Sequence, residues 1–257
     1  MFPIYEARAG LDPIHQFEVS RFLEFGIPGW DMSFTNASGY MVLAVALIIG
    51  FFSYVASRNS MVPSRLQSIG EMGYEFVADM IRGIAGEEGL KFFPFIFTLF
   101  FFIFAANMIG MIPYAFTTTS HVIVTGAMAL FVIGMVIIYG FYKNGLGFLK
   151  LFAPSGAPWY IYIILIPIEI ISFVARPLTL ALRLFANMLA GHIMLKLFAG
   201  FTVLLVSAGA VYIPLALLSF TMAVALNALE FLVAFLQAYV FAILTVVYLN
   251  DAMHPSH

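Results

Sequence analysis

Trp159–Gly200 reads WYIYIILIPIEIISFVARPLTLALRLFANMLAGHIMLKLFAG, and the chain stays apolar beyond it almost to Leu249, interrupted only by Pro167, Pro177, Gly200, Gly209 and Pro214. A membrane-crossing helix needs roughly 20 apolar residues, so this block is long enough for four upright spans. Glu169, Arg176, Arg183, Asn187, His192 and Lys196 would then lie along segments that lipid should keep clean. Two long helices tilted through the membrane and joined as a hairpin near Gly200–Gly209 would use the same residues differently. Hydropathy leaves both arrangements open.

The rest of the chain agrees that lipid is its solvent. Of 257 residues, 63% are hydrophobic and 9% charged, where a soluble domain carries about a quarter charged residues. Mean hydropathy is +1.04. The net charge of −2 gives no basic excess for nucleic acid, and the absence of cysteine excludes disulfides and thiolate metal sites. The five histidines are too dispersed for a metal centre, and no cofactor is expected: His15, His121, His254 and His257 fall in polar flanks. There is no internal repeat and no low-complexity tract.

Working back from the long block, three shorter spans are predicted at 37–57, 92–112 and 121–142. The phenylalanine-dense run Phe92–Phe104 reads as lipid contact. Between the first two spans, Leu66, Ile69, Gly73, Phe76, Val77, Met80, Ile81 and Ile84 recur at helical spacing, with Arg65, Glu71, Glu75, Asp79 and Arg82 between them. This predicts an amphipathic helix over 64–86, lying in the membrane interface, or else a soluble connector. The long block divides as 159–200 and 203–249 if it forms two helices.

Lysine and arginine in short loops set orientation. Arg58, Arg65, Arg82 and Lys91 lie between the first and second spans, and Lys143 and Lys150 follow the third. The loop Pro113–Ser120 has no basic residue. Both basic loops are therefore expected on the cytoplasmic or matrix side, and the N-terminal segment 1–36 on the outer side. Met1–Asp31, with five acids and two arginines, has neither signal-peptide nor transit-peptide character. The expected location is a bacterial inner membrane, with the mitochondrial inner membrane as the alternative.

An arginine at bilayer depth costs about 3 kcal/mol on insertion scales, so Arg176 and Arg183 need a reason. Seven residues is about two helical turns, which puts Glu169, Arg176 and Arg183 on one stripe, with Asn187 one turn further. His192 falls opposite Arg183 and must face a different neighbour. In the last segment Asn227, Glu230 and Gln237 lie near one face, with Ala223, Ala234 and Ala238 offering close approach. This predicts packing of the Arg183 helix on the Glu230 helix, with Gln237 near the arginine. Arginine does not give up its proton; it acts as a fixed cation that favours the ionised form of a passing carboxylic acid. Histidine and glutamate can carry protons. The plainer readings are a snorkelling or Glu169-paired Arg176, interhelical hydrogen bonding by Asn187 and Gln237, and static partnerships for Glu169, His192 and Glu230.

Two segments go further. Ala175–His192, ARPLTLALRLFANMLAGH, and Leu229–Asp251, LEFLVAFLQAYVFAILTVVYLND, resemble the signature segments of subunit a of the F-type ATP synthase. NMIGMIPY at Asn107–Tyr114 and HQFE at His15–Glu18 are similar to that family too, nearest its alphaproteobacterial and mitochondrial branch. The resemblance implies an all-α polytopic fold of about five membrane-embedded helices plus one interfacial helix, the last two long and steeply tilted as a hairpin facing a ring of c subunits. It implies a buried Arg183 at the c-ring carboxylate, with Asn187 and Gln237 beside it. His192 and Glu230 match the pair of the inlet half-channel, Glu169 an acidic position on the exit side, and Arg176 a basic accessory position of undefined role. Peripheral-stalk b subunits, the c-ring and the whole synthase are the implied partners. The chain has no GxxxxGK[ST] phosphate loop, so nucleotide chemistry is left to those partners. The rival reading is a self-contained proton-coupled secondary transporter, which usually shows repeated halves; a passive anchor would not account for the charges.

Overall fold

The computed structural model describes residues 21–23, 26–27, 30–31, 34–57, 63–112, 115–152 and 159–254. The HQFE motif, Arg8, Arg58, Pro113, Tyr114 and His257 lie outside them. The first described residues form two small antiparallel pairs: β1 (Arg21–Leu23) with β4 (Phe34–Thr35), and β2 (Gly26–Ile27) with β3 (Trp30–Asp31). Everything after them is built from helices: α1 (Asn36–Ser57), α2 (Arg65–Gly89), α3 (Phe93–Gly110), α4 (Val122–Asn144), α5 (Trp159–Ser207) and α6 (Ile213–Met253). The all-α polytopic class holds, and five helical stretches are long and apolar enough to cross a membrane.

Local chemistry sets the ends. Thr35 and Ser38 cap α1 reciprocally, each backbone N–H donating to the other's hydroxyl oxygen. Ser64 Oγ accepts from the Gln67 N–H at the start of α2. Gly86, at φ 62°, kinks α2 before the turn into α3, and Pro94 stands in the first turn of α3, where no intrahelical donor is lost.

The long block forms two helices, of 49 and 41 residues, and not four upright spans. Pro167, Pro177 and Gly200 interrupt nothing, since α5 runs through all three. The reversal comes later, at Gly209, whose φ of 123° is open to glycine and strained for other residues. Forty-nine helical residues extend about 74 Å, against about 30 Å of hydrocarbon.

Two sequence expectations change. The phenylalanine run is more than a lipid face: Phe100 is buried, and Phe92, Phe93, Phe95, Phe97, Phe101, Phe102 and Phe104, each partly buried, pack against the core. Phe52 of α1 meets Phe97 and Phe101 edge-on, and Phe235 of α6 meets Phe100 and Phe104. The apolar stripe of α2 is divided. Val77, Met80 and Ile81 enter the core, while Leu66, Ile69 and Phe76 stay exposed. α6 is the hub, touching α2, α3, α4 and α5, and its small residues Ala234, Ala238 and Ala242 allow that proximity at full burial.

Candidate functional site

α5 and α6 run antiparallel, and their polar residues meet in pairs that climb one helix as they descend the other. Furthest from the hairpin, Arg176 Nη1 lies 3.2 Å from Asp251 Oδ2 and its Nη2 lies 3.7 Å from Glu169 Oε1. Its guanidinium carbon stands 5.3 Å from the centre of the Tyr248 ring. In the middle, Asn187 Nδ2 donates to Gln237 Oε1 at 3.0 Å. Nearer the hairpin, His192 Nδ1 and Glu230 Oε1 are 3.4 Å apart and both residues are buried. On the far side of the imidazole, Nε2 is 3.0 Å from Thr117 Oγ1.

The clusters belong to opposite ends of the molecule. Lys143 at the end of α4 pairs with Glu88 at the end of α2 at 3.1 Å, so the two basic loops share one end. Asn144 Nδ2 donates to Ala252 O at 2.6 Å, which brings the Asp251 end of α6 to the same place. Thr117 lies in the connection between α3 and α4, at the other end. Arg183 sits between the clusters, about 10 Å along α5 from Arg176 and about 14 Å from His192.

Arg183 itself is exposed on the outer face of the α5–α6 pair, and among the described residues no ion pair engages it. Within this chain, then, no protein encloses the arginine. His192, half a turn around the helix, points inward as the spacing requires. Gln237 bonds to Asn187 and not to Arg183, and Asn227 is exposed, off the Glu230–Gln237 face. His121, which follows the polar run Thr117–Ser120, also stacks on Phe116, with rings 4.9 Å apart.

Residues 38–250 match the family described as ATP synthase A chain. The chain belongs to the ATP synthase A chain family. Among relatives of this family, ATP synthase subunit a of Hyphomonas neptunium is 74% identical over 244 residues, covering 95% of this chain and 96% of that protein. Subunit a of Mesorhizobium japonicum is 58% identical over 96% of this chain and 98% of its own length. Subunit a 1 of Brucella anthropi is 57% identical over 96% and 99%.

Sequence reasoning about this member of the ATP synthase A chain family missed four participants. Asp251 closes the Arg176 cluster, and its signal was present as an acid at the end of an apolar helix. Thr117 and Gly191 carried none, being small and neutral. A Cβ on Gly191 would lie 2.7 Å from Glu230 Oε1, so the missing side chain is what admits the carboxyl. Asn107 of α3 donates to Ala234 O at 3.2 Å, one turn from Glu230. Asn107 Oδ1, Thr119 Oγ1, His121 Nε2, both Glu230 carboxyl oxygens and Gln237 Nε2 are buried without an aligned hydrogen-bond partner.

Proposed function

We propose that this chain is subunit a in the membrane sector of a bacterial, inner-membrane ATP synthase, and that it carries protons to and from a partner ring along two offset half-channels. The observation that carries this reading is the register of α5 on α6. A buried His–Glu pair lies toward one end and an Arg–carboxylate cluster toward the other, with an outward guanidinium between them.

The chemistry follows from those positions. A proton from the outer side reaches His192 and passes to Glu230. It then neutralises a carboxylate on a ring of c subunits seated against the exposed face that bears Arg183. The neutral acid can enter lipid, where an ion could not. On returning to Arg183 it meets a cation that favours its ionised form, and the released proton leaves past Glu169 and Asp251. Arg176, which holds both carboxylates, positions that exit. The Asn187–Gln237 bond sets the spacing of the two helices beside Arg183. Unpartnered polar atoms around Asn107, Glu230 and Gln237 suit an interior that buried water can enter. The guanidinium also repels a proton taking a direct route between the half-channels. Each charge crossing gains about 2.3 kcal/mol per 100 mV. At about 74 Å, α5 fits the membrane only when steeply tilted, as does α6. The peripheral stalk would hold the chain still against the turning ring.

The test is Arg183→Ala in the assembled complex. ATP-driven acidification of inverted vesicles should vanish while assembly persists. Normal pumping by that variant would overturn the proposal.

A further inference from the structure

The connection between α3 and α4 has an unusual composition for a loop. Thr117, Thr118, Thr119 and Ser120 are all buried. Of these hydroxyls, Thr117 Oγ1 reaches the candidate proton path directly, 3.0 Å from His192 Nε2, and it also lies 3.3 Å from Gly110 O, to which it donates. The approach is prepared by the backbone. A Cβ on Gly110 would stand 2.7 Å from Thr117 Cγ2 and 3.0 Å from its Oγ1. Two glycines, Gly110 on α3 and Gly191 on α5, thus leave room for one chain of side chains, Thr117–His192–Glu230. The loop is fastened at the same point, because Ser120 Oγ donates to Thr117 O at 2.6 Å.

A hydroxyl has one hydrogen to donate. While that hydrogen is given to Gly110 O, Thr117 Oγ1 can only accept, and the group that gives to it is His192 Nε2–H. The neutral imidazole is then held as the Nε2–H tautomer, and the unprotonated nitrogen is Nδ1, 3.4 Å from Glu230 Oε1. We infer that Thr117 is a positioning residue for proton transfer: it keeps a proton on Nε2 in both charge states of His192, so that exchange with Glu230 takes place at Nδ1. Because Nε2 already carries its hydrogen, a proton arriving from the outer side is taken up at Nδ1; that Nδ1–H then passes to a Glu230 carboxylate oxygen, leaving neutral imidazole with its Nε2–H on Thr117 and a neutral carboxylic acid. Without the hydroxyl, Nε2–H loses the acceptor that favours it, and a larger share of the molecules presents Nδ1–H to an acid that needs an acceptor.

This inference rests on the reading of His192 and Glu230 as a proton path, and the experiment separates the two. Passive proton conduction would be measured through the membrane sector in vesicles, normalised to assembled complex, for Thr117→Val, Thr117→Ser and Glu230→Ala. Thr117→Val, which keeps the shape and removes the hydroxyl, should lower flux about fivefold, and Thr117→Ser should recover it to within about twofold. Wild-type flux in Thr117→Val together with impaired Glu230→Ala overturns the inference and leaves the proton path standing. Wild-type flux in Glu230→Ala overturns both. Equal losses in the valine and serine variants assign Thr117 to packing alone and also overturn it. If Thr117→Val does not assemble, Thr117→Ala is compared with Thr117→Ser by the same criterion.

Discussion

The Glu230 carboxyl lies where almost any residue other than glycine at position 191 would intrude. Gly191→Ala offers a clean separation of stability from function. In a helix interior, alanine is favoured over glycine by about 1 kcal/mol, so melting of the purified complex should stay level or rise. The new methyl would meet Glu230 Oε1 at 2.7 Å and turn the carboxyl away from His192, so proton conduction should fall. Normal conduction with normal melting would show that the close approach is incidental. At this scale the sequence was legible where charge contrasts with an apolar background: Arg183, His192, Glu230, Glu169 and Arg176 stand out for that reason. Thr117 and Gly191 did not, because their part depends on which helix lies opposite, and one chain of small residues gives no contrast. Asp251 shows the intermediate case, a visible acid whose partner was visible too, but whose pairing awaited the α5–α6 register. A double-mutant cycle on Arg176→Gln and Asp251→Asn should give coupling of at most about 1 kcal/mol in complex stability, because both groups are partly open to solvent. Strict additivity would show that the pair contributes nothing to helix docking.

Among the elements, α5 is the least obvious from sequence. Two prolines and a glycine marked places where a soluble helix would end, and all three lie within it. Within a bundle, neighbouring helices, side chains and waters tolerate the lost backbone bonds, so proline is poor punctuation here. Gly209 is the residue that turns the chain, and its signal is conformational, invisible to hydropathy. Gly209→Val should destabilise the hairpin by about 1–3 kcal/mol, because φ 123° with ψ 169° is a region open essentially to glycine alone, and this is read as a lower denaturation midpoint in detergent. An unchanged midpoint would mean that the turn relaxes into another shape. The phenylalanine run is hard to read for a related reason: composition says that a helix shuns water, and leaves open how much of it lipid or protein surrounds. Phe100 answers by packing under Phe235 of α6.

For the molecule as a whole, loop charges had assigned both basic loops to one side, and the Lys143–Glu88 contact brings those loops together independently of any membrane. The chain contains no cysteine, so a cysteine introduced into it is the one thiol of this subunit within the complex. Glu87→Cys, at the basic end, should react with an impermeant maleimide from the cytoplasmic face, and Val211→Cys, 87% exposed at the hairpin, from the opposite face. Labelling of both from one side would refute the topology. One further consequence lies in the geometry of α5. Arg183 and His192 project from opposite sides of a single rod, so they cannot adjust independently. A roll about the long axis that carries the guanidinium clockwise carries the imidazole clockwise as well, and therefore in the contrary direction across the membrane plane. If a ring turns against this face as proposed, each push on the arginine is felt, reversed, at the imidazole.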